Sequence, residues 1–189
     1  MMIHTEETPN VNALKFILGR TILQDHQAIE FSNREDAACS PLAQALFDIE
    51  GIQRIYFGTD FIVVTKDISE DWKSLKGVVI SIMMEFLLTR KTMIKMDIGA
   101  SDMNAMEISA EDQEIVDKIK DILDDEIRPA VARDGGDIIF HGYKEGCVYL
   151  KMQGACQGCP SSSLTLKHGV ETILRRHLPD LVSVEKVDF

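Results

Sequence analysis

Cysteine is scarce in this chain, with four among 189 residues, at positions 39, 147, 156 and 159. A disulfide scaffold is far denser in cysteine, so that class is excluded, and an intracellular compartment would keep such thiols reduced. Long hydrophobic runs are missing too. The longest, Val78 to Leu88, is broken by Ser81 and Glu85 and is too short to span a bilayer. Positive charge is in deficit: the formal net charge is −11. Residues 1–108 hold ten basic and sixteen acidic side chains, and residues 109–189 hold ten and fifteen, so neither half is a basic stripe. Nucleic acid and membrane surfaces are therefore not expected as partners. Met1 to Asn10 is acidic and polar. It has neither the basic-then-apolar layout of a secretory signal nor the arginine bias of a transit peptide, and an intracellular protein is expected. A hydrophobic share of 45% leaves no room for a disordered or collagen-like chain.

What is present is two segments of different character around a weak stretch. Residues 95–109 read KMDIGASDMNAMEIS, small and polar with no sustained period of 2 or 3.6, which marks a linker. The expected fold class is mixed α+β in two small domains, 1–94 and 110–189. In the first, Leu14 to Leu18 and Ala28 to Phe31 read as strands. Ser40-Pro41 reads as a helix start, serine as N-cap and proline at the first helical position. Ile52 to Phe57 and Phe61 to Thr65 are rich in β-branched and aromatic residues, and Gly58-Thr59-Asp60 between them predicts a hairpin. Ser69 is expected to cap a helix whose apolar face is Trp72, Leu75, Val79, Ile82, Met83, Phe86 and Leu87. The order is β-β-α-hairpin-α, without a catalytic constellation.

The second domain opens on Ser109-Ala-Glu-Asp112, which resembles a capping box. Ile115, Ile119, Ile122, Leu123 and Ile127 form one stripe, opposite an acidic face from Glu111 to Glu126 that reads as solvated, with a docking surface for client proteins as the sharper alternative. Pro129 is expected to kink or end that helix. Asp134-Gly-Gly-Asp137 reads as a turn. Strands follow at Ile138 to Tyr143 and Cys147 to Met152, a helix from about Ser162 to His177, and a last strand within Leu181 to Val187, giving α-β-β-α-β.

Between the second of these strands and that helix runs Gly154-Ala-Cys156-Gln-Gly-Cys159-Pro160. Cys-x-x-Cys lets two sulfurs converge on one metal unit. Gly154 and Gly158 let the backbone curl around it, and Pro160 suits the first turn of a helix. A helix N-terminus beside the pair favours thiolate, the form that binds metal. Three chemistries use such a loop. An iron–sulfur cluster needs four thiolates, which two chains contributing two each would supply. A structural zinc shared across a dimer needs the same number. A thiol–disulfide redox pair needs only the two, although just 30 residues follow Cys159, enough for one helix and one strand, where a thioredoxin-like fold needs several more strands.

Other candidates have plainer readings. Cys147 alternates with Tyr149 and Lys151 on one strand face and reads as a small packing residue. Cys39 precedes the Ser-Pro cap and reads as an ordinary half-exposed thiol. His168, on the helix after the pair, would be the ligand of a Cys₂His site but reads first as a surface residue. His4, His26, His141 and His177 show no ligand spacing. Asp134 and Asp137 flank the double glycine and read as turn residues bonding their own backbone. Ser161 to Ser163 read as helix-capping residues.

The stretch Ile127-Arg-Pro129, Asp134-Gly-Gly-Asp137 and Leu150-Lys-Met-Gln-Gly154-Ala-Cys156-Gln-Gly-Cys159-Pro-Ser-Ser resembles the C-terminal domain of NifU-type iron–sulfur scaffold proteins, over about residues 112–187. The first domain resembles the N-terminal domain of the Nfu branch, through Thr8-Pro-Asn10, Asn12-Ala-Leu-Lys-Phe16, Ser40-Pro-Leu-Ala43 with Leu46-Phe47, and Phe57-Gly-Thr-Asp-Phe61. Val11 stands where that family usually has proline, in what reads as a leader before the first strand. The resemblance implies a non-enzymatic carrier that takes a [4Fe-4S] cluster on Cys156 and Cys159 of two chains and passes it to apo-proteins. The choice of [4Fe-4S] over [2Fe-2S] rests on the resemblance alone. It implies upstream cluster-assembly proteins, apo iron–sulfur clients and a second copy of the chain as partners. Its two-domain layout is typical of mitochondria and alphaproteobacteria. The polar N-terminus favours a bacterial cytoplasm, with the mitochondrial matrix if the chain is a processed mature form.

Overall fold

The computed structural model describes residues 3–23, 28–89, 93–94, 109, 112–157 and 162–187, with the backbone alone for 162–166. It is mixed α+β, in two compact units that fall within residues 1–100 and 101–189.

The first unit is a five-stranded antiparallel sheet with helices on one face. Its strands are β1 (His4–Glu7), β2 (Ala13–Ile17), β3 (Ile29–Phe31), β4 (Ile52–Phe57) and β5 (Phe61–Lys66), in the spatial order β1-β2-β5-β4-β3. Helices α1 (Pro41–Phe47) and α2 (Trp72–Leu88) complete it. The side-chain period of two sends Leu14, Phe16, Ile55, Phe57, Ile62 and Val64 to the core with Leu42 and Leu46 of α1 and Val79 and Met83 of α2. On the opposite face Ala13, Lys15, Tyr56, Phe61 and Val63 are buried as well. There the Lys15 ammonium lies 4.6 Å from the Phe61 ring centre and 3.4 Å from the Glu6 carboxylate, so its aliphatic stem covers the sheet while its charge is answered.

The expected hairpin β4–β5 and the Ser40 cap are both present: the Ser40 hydroxyl accepts from the Ala43 N–H at 3.1 Å and donates to the Met93 carbonyl at 2.7 Å. Two expectations are corrected. Strand β1 lies where a leader was expected, and Val11 sits in the β1–β2 turn, 80% exposed. As a sheet edge, β1 presents almost no buried residue, so no apolar alternation announces it. The N-cap of α2 is Asp71, whose side chain accepts from the Lys73 N–H, rather than Ser69. Ser69 instead donates its N–H and hydroxyl to the Asp67 carboxylate, holding that group below the usual carboxylate range.

The second unit begins with α3 (Gln113–Ile122), a wide π turn (Leu123–Ile127) and α4 (Arg128–Arg133). Ser109 caps its approach, accepting from the Asp112 N–H and donating to the Asp112 carboxylate. Pro129 was expected to kink or end the helix, and the helical path changes its turn there rather than ending. Proline lacks the N–H of a normal turn and its ring collides with the carbonyl four residues back. The π turn relieves this by shifting the bonding by one residue, so that Arg128 N–H reaches Leu123 C=O. Then follow β6 (Gly136–Lys144), β7 (Cys147–Gly154), α5 (Ser162–His177) and β8 (Ser183–Val187). β6 and β7 are antiparallel, and α5 carries the chain over so that β8 pairs parallel to β7. Ile119, Leu123, Ile127 and Val131 pack with Ile138, Val148, Leu150 and Met152 of the sheet and Val170 and Leu174 of α5.

Candidate metal centre

The hairpin turns at Glu145-Gly146, both at positive φ, and its open end is where β6 begins and β7 finishes. There Gly136 faces Gly154 across the ladder. Gly154 takes φ +65°, a left-handed conformation that turns the chain out of the strand into the cysteine loop. The loop is tied back at once: Ala155 N–H donates to Gly135 C=O at 3.1 Å, and Gln157 N–H to Gly154 C=O at 3.1 Å. Cys156, the first of the paired cysteines, is 7% exposed and belongs to the apolar core of its unit. Its sulfur occupies the space above Gly136 that any side chain there would take.

One residue along β6, Asp137 is 5% exposed. It was expected to serve as a turn residue bonding its own backbone, and it does accept from the adjacent Ile138 N–H at 2.8 Å. Its main partner is Arg128. The guanidinium grips both carboxylate oxygens, Nε to Oδ1 at 2.9 Å and Nη2 to Oδ2 at 3.0 Å, and its Nη1 reaches Asp124 at 2.8 Å. The fork geometry suits two parallel bonds. These bonds, that to Asp137 above all, hold Arg128 further above its already high ordinary range. The sequence offered Arg128 only as part of a motif. An arginine nine residues before an aspartate carries no periodic signal, because the pair meets through a helix end and a turn. Asp134 is exposed.

Cys159 lies outside the described residues, as do Gly158, Pro160, Ser161, His26 and most of 95–109; for Ser162 and Ser163 the backbone alone is described. Cys147 stands at the opposite end of β7 from Gly154, about 23 Å away at ~3.3 Å per residue, and the Ser183 hydroxyl lies 3.4 Å from its sulfur. Cys39 is half-buried in the first unit. His168 is exposed on α5, and His4 is exposed on β1. His177 faces Glu126 at 2.9 Å, and Glu114 on the acidic face is paired with Lys118 at 2.7 Å. Among the described residues, no three His, Cys, Asp or Glu side chains gather as a metal site. No described helix is long and apolar enough to cross a membrane.

Two family models match the chain: "Scaffold protein Nfu/NifU N terminal" over residues 3–90 and "NifU-like domain" over residues 119–185. Curated relatives named "NFU1 iron-sulfur cluster scaffold homolog, mitochondrial" align along 99% of this chain. The protein from Drosophila virilis is 43% identical over 187 residues, 62% of its own length, and that from Homo sapiens is 42% identical over 188 residues, 72% of its length. The chain thus spans roughly two thirds of these relatives. The solution structure of a NifU-like protein from Saccharomyces cerevisiae aligns with 51% of this chain and 87% of its own, at 28% identity and a TM-score of 0.48.

Proposed function

The chain belongs to the Nfu family of iron–sulfur cluster scaffold proteins, and from that premise we propose that it is a carrier which holds a [4Fe-4S] cluster through Cys156 and Cys159 of two chains and delivers it to apo iron–sulfur proteins. The observation that carries this reading is the cysteine loop itself. It sits at the end of β7, with Cys156 fixed between strand and loop and helix α5 opening just beyond, at Ser162. The cluster is cargo, not a resident cofactor, and the role is not enzymatic.

Four thiolates complete the cluster. One chain brings two of them in this loop, and Cys147 is a strand's length away, so a second copy supplies the rest. A two-fold axis through the cluster satisfies both chains alike. The charge of −11 on each chain opposes association when no cluster bridges them. In delivery, each client thiol loses its proton and forms an iron–sulfur bond as a carrier cysteine gives one up and takes a proton. The pair of chains separates as the last ligands exchange. Upstream assembly proteins load the carrier by the same exchange. The relatives' names support a mitochondrial setting; the bacterial cytoplasm rested on the polar N-terminus.

Reconstitution without oxygen, followed by absorbance, iron and sulfide analysis and sedimentation, tests the proposal. The expected result is a broad blue-edge absorbance band, about four iron atoms per two chains, and a dimer only when the cluster is bound. A colourless protein binding zinc tightly makes the loop a zinc module. Turnover with a dithiol through a Cys156–Cys159 disulfide makes it a redox pair. A full cluster on a monomer overturns the shared-ligand arrangement.

A further inference from the structure

The Cys156 thiol points into the fold. It is 7% exposed, and a Cβ built on Gly136 would stand 2.2 Å from its sulfur, 3.1 Å from its Cβ and 3.2 Å from the Gln153 carbonyl. Gly136 is not at positive φ, so its backbone does not call for glycine. What glycine supplies there is the volume of one methyl group, and the sulfur fills it. We propose that Gly136 is a positioning residue: it forms a seat that keeps the Cys156 thiol inside the fold while the protein carries no cluster, and ligation begins when the thiol leaves that seat.

The strand side of the seat is firmly held. Gly136 is paired with Gly154, Gly135 C=O accepts from Ala155 N–H, and Asp137 is locked by the Arg128 fork. The cysteine side is a single side chain just past the end of β7. A cluster shared between two chains must bind sulfur at the surface, where a partner's loop can reach it. The buried position is therefore a resting one. It shields an otherwise reactive thiol from alkylating and oxidising molecules until cargo arrives, because exposure is a condition of cysteine reactivity.

The inference rests on reading Cys156 as a cluster ligand, but the seat belongs to the cluster-free protein and is tested there. Reduced full-length protein is treated with iodoacetamide for timed intervals, and each cysteine is quantified by peptide mass spectrometry. Cys156 is expected to react at least about tenfold more slowly than in urea-unfolded protein, as burial of a thiol implies. In Gly136→Ala the added methyl displaces the sulfur, and Cys156 should approach its unfolded rate while Cys147 in the same unit keeps its own. That contrast separates ejection of one thiol from general loosening of the unit.

Thermal midpoints of Gly136→Ala, Cys156→Ala and the double variant supply a second measurement that stands even if Gly136→Ala alone folds poorly. The cost of Gly136→Ala should fall by about half or more once the sulfur is gone, since residues in contact are coupled. A Cys156 that already reacts at its unfolded rate in the wild type, an unchanged rate in Gly136→Ala, or additive midpoints would each overturn the seat. Failure to take up a cluster would instead sink the carrier reading and leave these results untouched.

Discussion

Serine replaces the thiolate sulfur, by which iron–sulfur clusters are held, with a hydroxyl oxygen. Cys156→Ser and Cys159→Ser are therefore each expected to abolish the absorbance band after reconstitution, whereas Cys39→Ala and Cys147→Ala keep it. Loss of the band in a folded Cys147→Ala variant would reject the assignment. Neighbouring charges act on the fold. Asp137→Asn takes the negative charge and one of the two acceptor oxygens from the main partner of Arg128, at an expected cost of about 1–3 kcal/mol in denaturant unfolding of the second unit. That is below the full range for a broken buried pair, because Arg128 keeps 38% of its side chain in water. At this scale Cys156 and Cys159 were legible as candidate ligands from spacing alone. The inward orientation of Cys156, the vacancy at Gly136 and the Arg128–Asp137 fork were not. Each depends on two strands and a helix end meeting, and nothing in the order of residues records which atoms face one another.

Caps and breakers mark where elements begin, and they were read with mixed success for physical reasons. Ser40-Pro41 was decisive because cap and first-turn proline reinforce one another. Ser40→Ala should cost the first unit about 2–3 kcal/mol, the sum of a lost cap and a buried Met93 carbonyl left without its donor. A change under ~0.5 kcal/mol in urea unfolding would mean that the hydroxyl is not structural. Ser69 and Asp71 are both good caps two residues apart, and the competition went to Asp71 because Asp67 had already engaged Ser69. Pro129 was read as a kink or an end because a normal α-turn cannot hold it, and the chain changes the turn there rather than ending. Strand β1 was missed because an edge strand with polar side chains differs from a leader only in its hydrogen-bond partners.

Each unit closes its own core, with its own caps and its own sheet. Residues 109–189 alone are therefore expected to be soluble and structured by circular dichroism and to accept a cluster on reconstitution. A folded fragment that takes up none would show that the first unit helps build the site. Within the second unit, the parallel return of β8 bears on the order of assembly. Gly136 and Cys156 are 20 residues apart and meet by closing one hairpin. The Cys147–Ser183 contact spans 36 residues and waits for all of α5 to cross over. Local contacts close early in folding and crossover pairings late, since the longer loop costs more entropy to close. In refolding followed by pulsed alkylation and hydrogen exchange, Cys156 should gain protection with the β6–β7 amides, ahead of β8. The chain would then tuck away its reactive sulfur before its last strand has docked.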